Sequence, residues 1–313
     1  MVNLFMALAH RIEHFRNRER RKSFGNENPD KVFYIIRVDF PMAGLFAIVK
    51  SILSHIVYAV DRGYIPIVDM IHGLNQFQKD LKGNPWEFFF NQPTKYGLDD
   101  IKKSKNVIIS CNRQVPISGY GIGVDVLSKE CTIDLERYAS FFQQYIIYAD
   151  KTKEYLLKKY VSIIGEKKNV LGVLCRGTDY LNKRPAFHPV QPSPEVVINE
   201  IEGLMKVYRI DYIYLATEDI VILEVFREAF GDMVLCINQK RFDNIEEDYI
   251  CDCSFQNEER IQMNLDYLAS LYILSKCEYF IGGRTSGTIG VNLMPHNYRY
   301  TYFWNLGTYP NHD

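Results

Sequence analysis

The sequence has almost no net charge: 37 Lys and Arg stand against 38 Asp and Glu in 313 residues, leaving −1 at pH 7. No chain-wide basic field is present to argue for nucleic acid. It has no C-x-x-C pair, and its seven cysteines (Cys111, Cys131, Cys175, Cys236, Cys251, Cys253 and Cys277) are odd in number. That pattern excludes a disulfide framework and suits reduced thiols in a cytosol. Cys251-x-Cys253 has no second His or Cys pair to complete a zinc site. Long apolar runs are also missing. The longest, residues 44–60, is interrupted by Lys50 and His55 and is too short to span a bilayer. Residues 1–10 are followed by no cleavage-type small-residue pattern, so no secretory signal is expected. A cytoplasmic protein is the resulting expectation.

What is present is ordinary for a globular chain: 47% hydrophobic and 24% charged residues. The 22 Tyr and 19 Phe suit a dense core first and a sugar-binding surface second. The length is comfortable for two α/β units. Residues 1–22 carry Leu4, Phe5, Leu8, Ile12 and Phe15 on one helical stripe, with basic residues outnumbering acidic ones. Two readings stand for this segment: peripheral attachment to an anionic membrane surface, on the inner face, or packing on its own domain. Residues 23–30 read as a linker, so residues 1–29 form an N-terminal extension.

From residue 30 the pattern alternates strand and helix. Strands are expected over 32–38, 65–68 and 107–110, and helices over 45–60 and 133–160. Gly44 lies in the loop after the first strand, where glycine lets backbone approach a ligand or simply makes a helix-entry turn. Trp86, in a Phe-rich segment, reads as core before it reads as a sugar platform. A polar break at 165–168 sets the expected boundary between an acceptor-side domain, 30–165, and a second domain, 166–313. There, strands are expected over 170–175, 212–215, 233–237 and 278–281, with helices between them at 195–207, 220–230, 264–275 and 289–294. The expected fold class is α/β, with two doubly wound Rossmann-type domains facing a cleft.

Three strand ends in the second half carry chemistry. Arg176-Gly-Thr-Asp179 follows the first, Thr217-Glu218-Asp219 the second, and Gly282-Gly-Arg-Thr-Ser-Gly-Thr288 the last. In a parallel sheet these ends share one edge and can converge on a ligand. Arginine makes bidentate bonds to a diphosphate at any physiological pH. Thr285, Ser286, Gly287 and Thr288 at a helix start offer hydroxyl and backbone donors to an anion, aided by the helix dipole. Neither G-x-x-x-x-G-K-[ST] nor a first-turn G-x-G-x-x-G is present. No D-x-D follows any of the three strands, so no metal is expected; protein donors take the place of a cation. The set points to a nucleotide-diphosphate ligand.

These residues resemble a known family. Cys-Arg-Gly-Thr-Asp179 is similar to the H-x-R-R-x-D element of the α-1,6-fucosyltransferases and their relatives, including nodulation and protein O-fucosyltransferases. Tyr212-Ile-Tyr-Leu-Ala-Thr-Glu-Asp219 resembles the family's Y-L-A-T-D-D strand end. Leu271-Tyr-Ile-Leu-Ser-Lys-Cys-Glu278 with Thr285-Ser286 resembles its final L-S-x-x-x…S-S element, and Trp86-Glu87-x-x-Phe90-x-x-Pro93 an upstream W-E-x-x-F-x-P-like segment. The elements keep the family's order from about Val32 onward.

For a bacterial member, the resemblance implies a GT-B fold and an inverting glycosyltransferase moving fucose from GDP-fucose to a glycan hydroxyl, as in polysaccharide biosynthesis, without metal. Arg176 would grip the pyrophosphate, Thr285, Ser286 and Gly287 would donate to phosphate, and Asn238 falls near the position that reads guanine. Glu218 and Asp219 match the family's paired acids. Asp179 and Asp219 are candidates for the general base, with Glu218 holding the loop and Glu195 a later candidate. The chain departs from the family at Gly177, in place of a second arginine, at Leu174, in place of histidine, and at Tyr180, where a lysine is frequent. Arg184 stands where core enzymes carry a catalytic glutamate. Two alternatives therefore stay open: a catalytically inactive sugar-nucleotide-binding or assembly protein, and a transferase using another nucleotide sugar.

Overall fold

The computed structural model describes residues 19–41, 43–77, 81–110, 119–128, 131, 134–177, 183–243, 253 and 255–311. The chain divides into two compact units: residues up to Ile122 together with Ser140–Ala149, and Gly123–Ala139 together with Asp150 onward. Asp179 lies outside the described residues, as do residues 1–18.

The N-terminal unit is built on a four-stranded sheet in the order β1-β4-β2-β3, with β1 at Arg20–Lys22, β2 at Phe33–Ile36, β3 at Ile65–Val68 and β4 at Val107–Ile109. β2 pairs in parallel with β3 and β4, while β1 runs antiparallel along β4. Pro66 sits on β3, an edge strand, where the N–H it lacks is not needed by a further neighbour. Helix α1 (Leu45–Asp61) connects β2 to β3 and is buried over nearly its whole length. Its His55 is wholly buried, with Nδ1 3.1 Å from the Tyr34 hydroxyl of β2. Burial penalises the imidazolium and lowers the His55 pKa to about 4. Trp86 is core: it is fully buried, stacks near Phe90 at 4.5 Å and donates from Nε1 to the Asn91 carbonyl.

Two expectations for this half are corrected. The helix expected over 1–22 does not include Arg20–Lys22, which form β1; pairing with Val107–Ile109 satisfies backbone groups that the edge of β4 would otherwise expose. Residues 23–30 are no loose linker. Phe24 and Glu27 donate to the carbonyls of Ser104 and Lys103, and a Cβ on Gly25 would lie 2.3 Å from the Lys103 oxygen.

The C-terminal unit carries five strands, all parallel, in the order β7-β6-β5-β8-β9. They are β5 (Val170–Leu174), β6 (Tyr212–Ala216), β7 (Val234–Leu235), β8 (Tyr279–Gly283) and β9 (Tyr300–Trp304). Helices cover both faces. Leu171, Val173, Ile213, Leu215 and Ile281 pack with Val197 and Ile201, and with Ile222 and Phe226, into one core. On the opposite face, Gly172 lets Leu274 and Cys277 approach so closely that a Cβ there would lie 2.9 Å from a Leu274 methyl.

The single helix expected over 133–160 is two, Leu135–Tyr145 and Asp150–Ile163. The chain breaks between them where Tyr148 forms a bridge with Phe90. The second helix belongs to the C-terminal unit, because Tyr155 donates to Asp266 at 2.6 Å and Tyr160 meets Tyr272 edge-on. The helix Asp150–Ile163, ahead of the polar break at 165–168, is thus part of the C-terminal unit, as are Gly123–Ala139. Among the described residues, no helix is long and apolar enough to cross a membrane.

Candidate functional site

The strand order reverses at β5: β6 and β7 extend the sheet to one side, β8 and β9 to the other. The crevice beyond the carboxyl ends of β5 and β8 is thus the topological switch point, where open α/β sheets hold ligands. Leu174 is in register with Ala216 on one side and with Gly282 on the other. Two residues past each of these stand Arg176, Glu218 and Arg284, so three charged groups leave three adjacent strands at one level. Adjacent strands lie about 4.8 Å apart, which brings the three groups within reach of one small ligand.

Each position has a local cause. Glu218 Oε1 accepts the Gly177 N–H at 3.1 Å and lies 3.8 Å from Arg176 Nε. Both side chains keep partial exposure, at 29% for Arg176 and 22% for Glu218. Gly177 is required by space, because a Cβ would fall 2.3 Å from Asp219 Oδ2 and 2.6 Å from Ile222 Cδ1. Asp219 is buried and N-caps the helix Ile220–Phe230, its Oδ1 accepting from the Val221 and Ile222 N–H groups at 2.8 and 3.1 Å. The loop after β7 folds back onto this strand end: Phe242 donates to the Glu218 carbonyl and accepts from Ile220. Gln239 donates to the Thr217 carbonyl at 2.9 Å. Asn238, beside it, is exposed, and its carbonyl accepts from Lys159 Nζ.

The turn after β8 starts the helix Ser286–Leu293, one turn earlier than expected. Thr285 N-caps it, accepting the Thr288 N–H at 3.1 Å, and the first backbone N–H groups of a helix have no partner within it. Thr288 differs from its expected role. It is fully buried, and its hydroxyl bonds to Thr285 Oγ1 and to the Gly283 carbonyl, so it braces the turn rather than facing a ligand. Ser286 is half-buried, whereas Gly287 is buried beneath Tyr267, whose hydroxyl would lie 2.7 Å from an added Cβ. Gly44 belongs to the N-terminal unit. It starts α1 without a side-chain cap, and a Cβ there would meet nothing within 4 Å.

Arg284 is the residue that pattern reading passed over. Its Nε is buried and has no hydrogen-bond partner, an arrangement that an anionic ligand would relieve. Buried Gln191 supports it from below, donating from Nε2 to the Arg284 carbonyl at 3.2 Å. The sequence signal was the arginine's place two residues past Gly282, matching Arg176 past Leu174. Cys175 is not a nucleophile here: burial, then the Glu218, Asp219 and Glu195 carboxylates, push its thiol pKa far up. Glu195 is exposed in the first turn of the helix Pro194–Met205, its carboxyl held low by the Ser193 side chain and its own N–H. No group of three or more His, Cys, Asp or Glu arranged for a metal occurs among the described residues.

No family model and no curated protein sequence matches the chain. Solved structures do. Fucosyltransferase NodZ from Bradyrhizobium superposes with a TM-score of 0.51 at 14% identity, over 84% of this chain and 92% of that one. NodZ α-1,6-fucosyltransferase soaked with GDP-fucose gives 0.50 at 14% identity, over 85% and 93%. The chain therefore shares its fold with these fucosyltransferase structures, as the motif order implied.

Proposed function

We propose that the chain is an inverting glycosyltransferase that moves fucose from GDP-fucose to a hydroxyl of a glycan acceptor. The observation that carries this reading is the switch point itself: Arg176 and Arg284 leave β5 and β8 at one level, beside a helix start capped by Thr285. Two guanidiniums and open helix N–H groups supply the positive potential that a leaving diphosphate needs, and preorganised charge of this kind contributes most in such reactions. That a fold neighbour was soaked with GDP-fucose supports this choice of donor. Glu218 holds the Arg176 loop in place through Gly177. Asn238 and Gln239, on the loop over β6, are the groups for the guanine base. Candidates for taking up the acceptor's proton are Asp179 and Asp219, with Glu195 a later one.

No cation is needed in this scheme, because protein donors neutralise the phosphates. Calorimetry tests it: GDP is expected to bind in excess EDTA, and more tightly than UDP or CDP. Binding that vanishes with the chelator, or that favours UDP, overturns the reading.

A further inference from the structure

Within the C-terminal unit, the approach to the helix Pro194–Met205 is clipped to the segment that follows β9. Phe187 donates from its backbone N–H to the Tyr309 carbonyl at 2.9 Å, and Val190 to the Gly307 carbonyl at 3.0 Å. Tyr309 returns a bond to the His188 carbonyl at 2.9 Å, and Pro189 bridges Thr308 antiparallel. Gly307 turns the chain into this clip at φ 82°. Because β8 and β9 are parallel and Gly283 is in register with Trp304, the clip lies beyond the carboxyl ends of both strands. Gln191 joins it to the switch point. This buried side chain donates from Nε2 to the Pro189 carbonyl at 3.0 Å and to the Arg284 carbonyl at 3.2 Å. Gly283 leaves the room, since a Cβ there would run into the Gln191 amide.

The clip holds an aromatic ring in a costly way. Phe187 has φ 63°, in the left-handed region that a bulky residue avoids because its Cβ crowds the following carbonyl. Its side chain is 73% exposed, so core packing does not offset that cost. Leu306, on the other arm of the clip, is about half exposed. An exposed apolar residue alone is ordinary. An exposed ring that the backbone is strained to present is not, and such strain gathers at ligand clamps.

The order of groups along the sheet edge names the occupant. The loop of Asn238 and Gln239 lies over the end of β6, Arg176 and Arg284 leave β5 and β8, and the clip stands beyond β8 and β9. A base, a diphosphate and a sugar follow one another in the same sequence. Three strand spacings of about 4.8 Å separate β6 from β9, roughly 14 Å, which an extended nucleoside diphosphate sugar spans. We propose that Phe187 is the platform on which the hexose of the nucleotide sugar stacks; the assignment deepens the donor reading above and rests on it. The C–H hydrogens on the apolar face of a pyranose carry partial positive charge, and the face of a phenyl ring is negative. The sugar thereby gains a contact that the nucleotide alone does not make.

The test uses the full chain with Phe187→Gly and Phe187→Tyr, titrated calorimetrically with GDP and with GDP-fucose in the absence of acceptor. Phe187→Gly is expected to bind GDP as the wild type does and GDP-fucose about 3- to 10-fold more weakly, the worth of one aromatic contact. Phe187→Tyr keeps the ring and is expected to match the wild type with both ligands. Glycine takes a positive φ without a Cβ penalty, so the fold of Phe187→Gly is expected to hold in urea unfolding. Wild-type GDP-fucose affinity in Phe187→Gly overturns the platform and leaves the donor reading standing. A raised acceptor KM with unchanged GDP-fucose affinity also overturns it, by placing the ring under the acceptor. Equal weakening of GDP and GDP-fucose overturns it as well, because the ring then serves the nucleotide or the fold. A wild-type chain that binds neither ligand overturns the donor reading and the platform with it.

Discussion

Glu218 accepts the backbone N–H of Gly177 at 3.1 Å, tying the end of one parallel strand to the loop that leaves its neighbour. The bond fixes where Arg176 begins, and the 3.8 Å approach of the two charged groups completes it. Removing the guanidinium is therefore a local change. Arg176→Ala is expected to leave thermal unfolding nearly unchanged, to weaken GDP binding by about 2–5 kcal/mol and to abolish transfer. Arg284→Ala should weaken GDP in the same calorimetric titration. Unchanged affinity in both would remove the switch point from the site.

Gly177 leaves no room for a side chain between Asp219 and Ile222. Gly177→Ala is expected to destabilise the C-terminal unit by about 1–3 kcal/mol in urea unfolding, since overpacking forces neighbours off their rotamers. Because the displaced Asp219 starts a helix, the same variant should also weaken GDP binding. Wild-type stability would show that the strand end yields more readily than its contacts imply.

Asp219 separates two roles. Asparagine caps a helix as well as aspartate does, whereas alanine costs about 1 kcal/mol. Asp219→Asn is thus expected to keep its denaturation midpoint, and Asp219→Ala to lose stability. A folded Asp219→Asn chain without turnover would give the proton-accepting role to Asp219.

His55 predicts an acid weakness of the N-terminal unit. Its folded pKa, about 4, lies below the ordinary histidine value near 6.5, so the folded state disfavours the proton that the unfolded chain accepts. Stability from the neutral ring is full above about pH 6.5 and is lost as pH falls toward 4, by on the order of 3 kcal/mol. Urea midpoints at stepped pH check the loss, and His55 ring resonances should hold constant from neutral pH to about pH 5.5. A ring that titrates at the ordinary value would refute the burial.

The strand ends of the C-terminal unit were legible because buried parallel strands are short apolar runs, and each polar residue after Leu174, Ala216 and Gly283 marks a carboxyl edge. The glycines were legible as special but not for their reason. Gly177 and Gly287 make room for Asp219 and Tyr267, contacts between residues far apart in sequence. Thr288 reads as a donor in a hydroxyl-rich string, and only the fold shows that its hydroxyl turns inward to Gly283. β1 was misread because three basic residues carry no strand signal; their pairing is set by the free edge of β4.

The four-stranded sheet of the N-terminal unit ends on Arg20–Lys22 at one side and on a strand containing Pro66 at the other. A further chain approaching the first side meets a three-residue ledge rich in positive charge. On the second side it finds a backbone position with no hydrogen to offer. Both borders thus resist the addition of a foreign strand, the route by which open sheets nucleate fibrils, so this unit is shielded from edge-to-edge aggregation by composition alone.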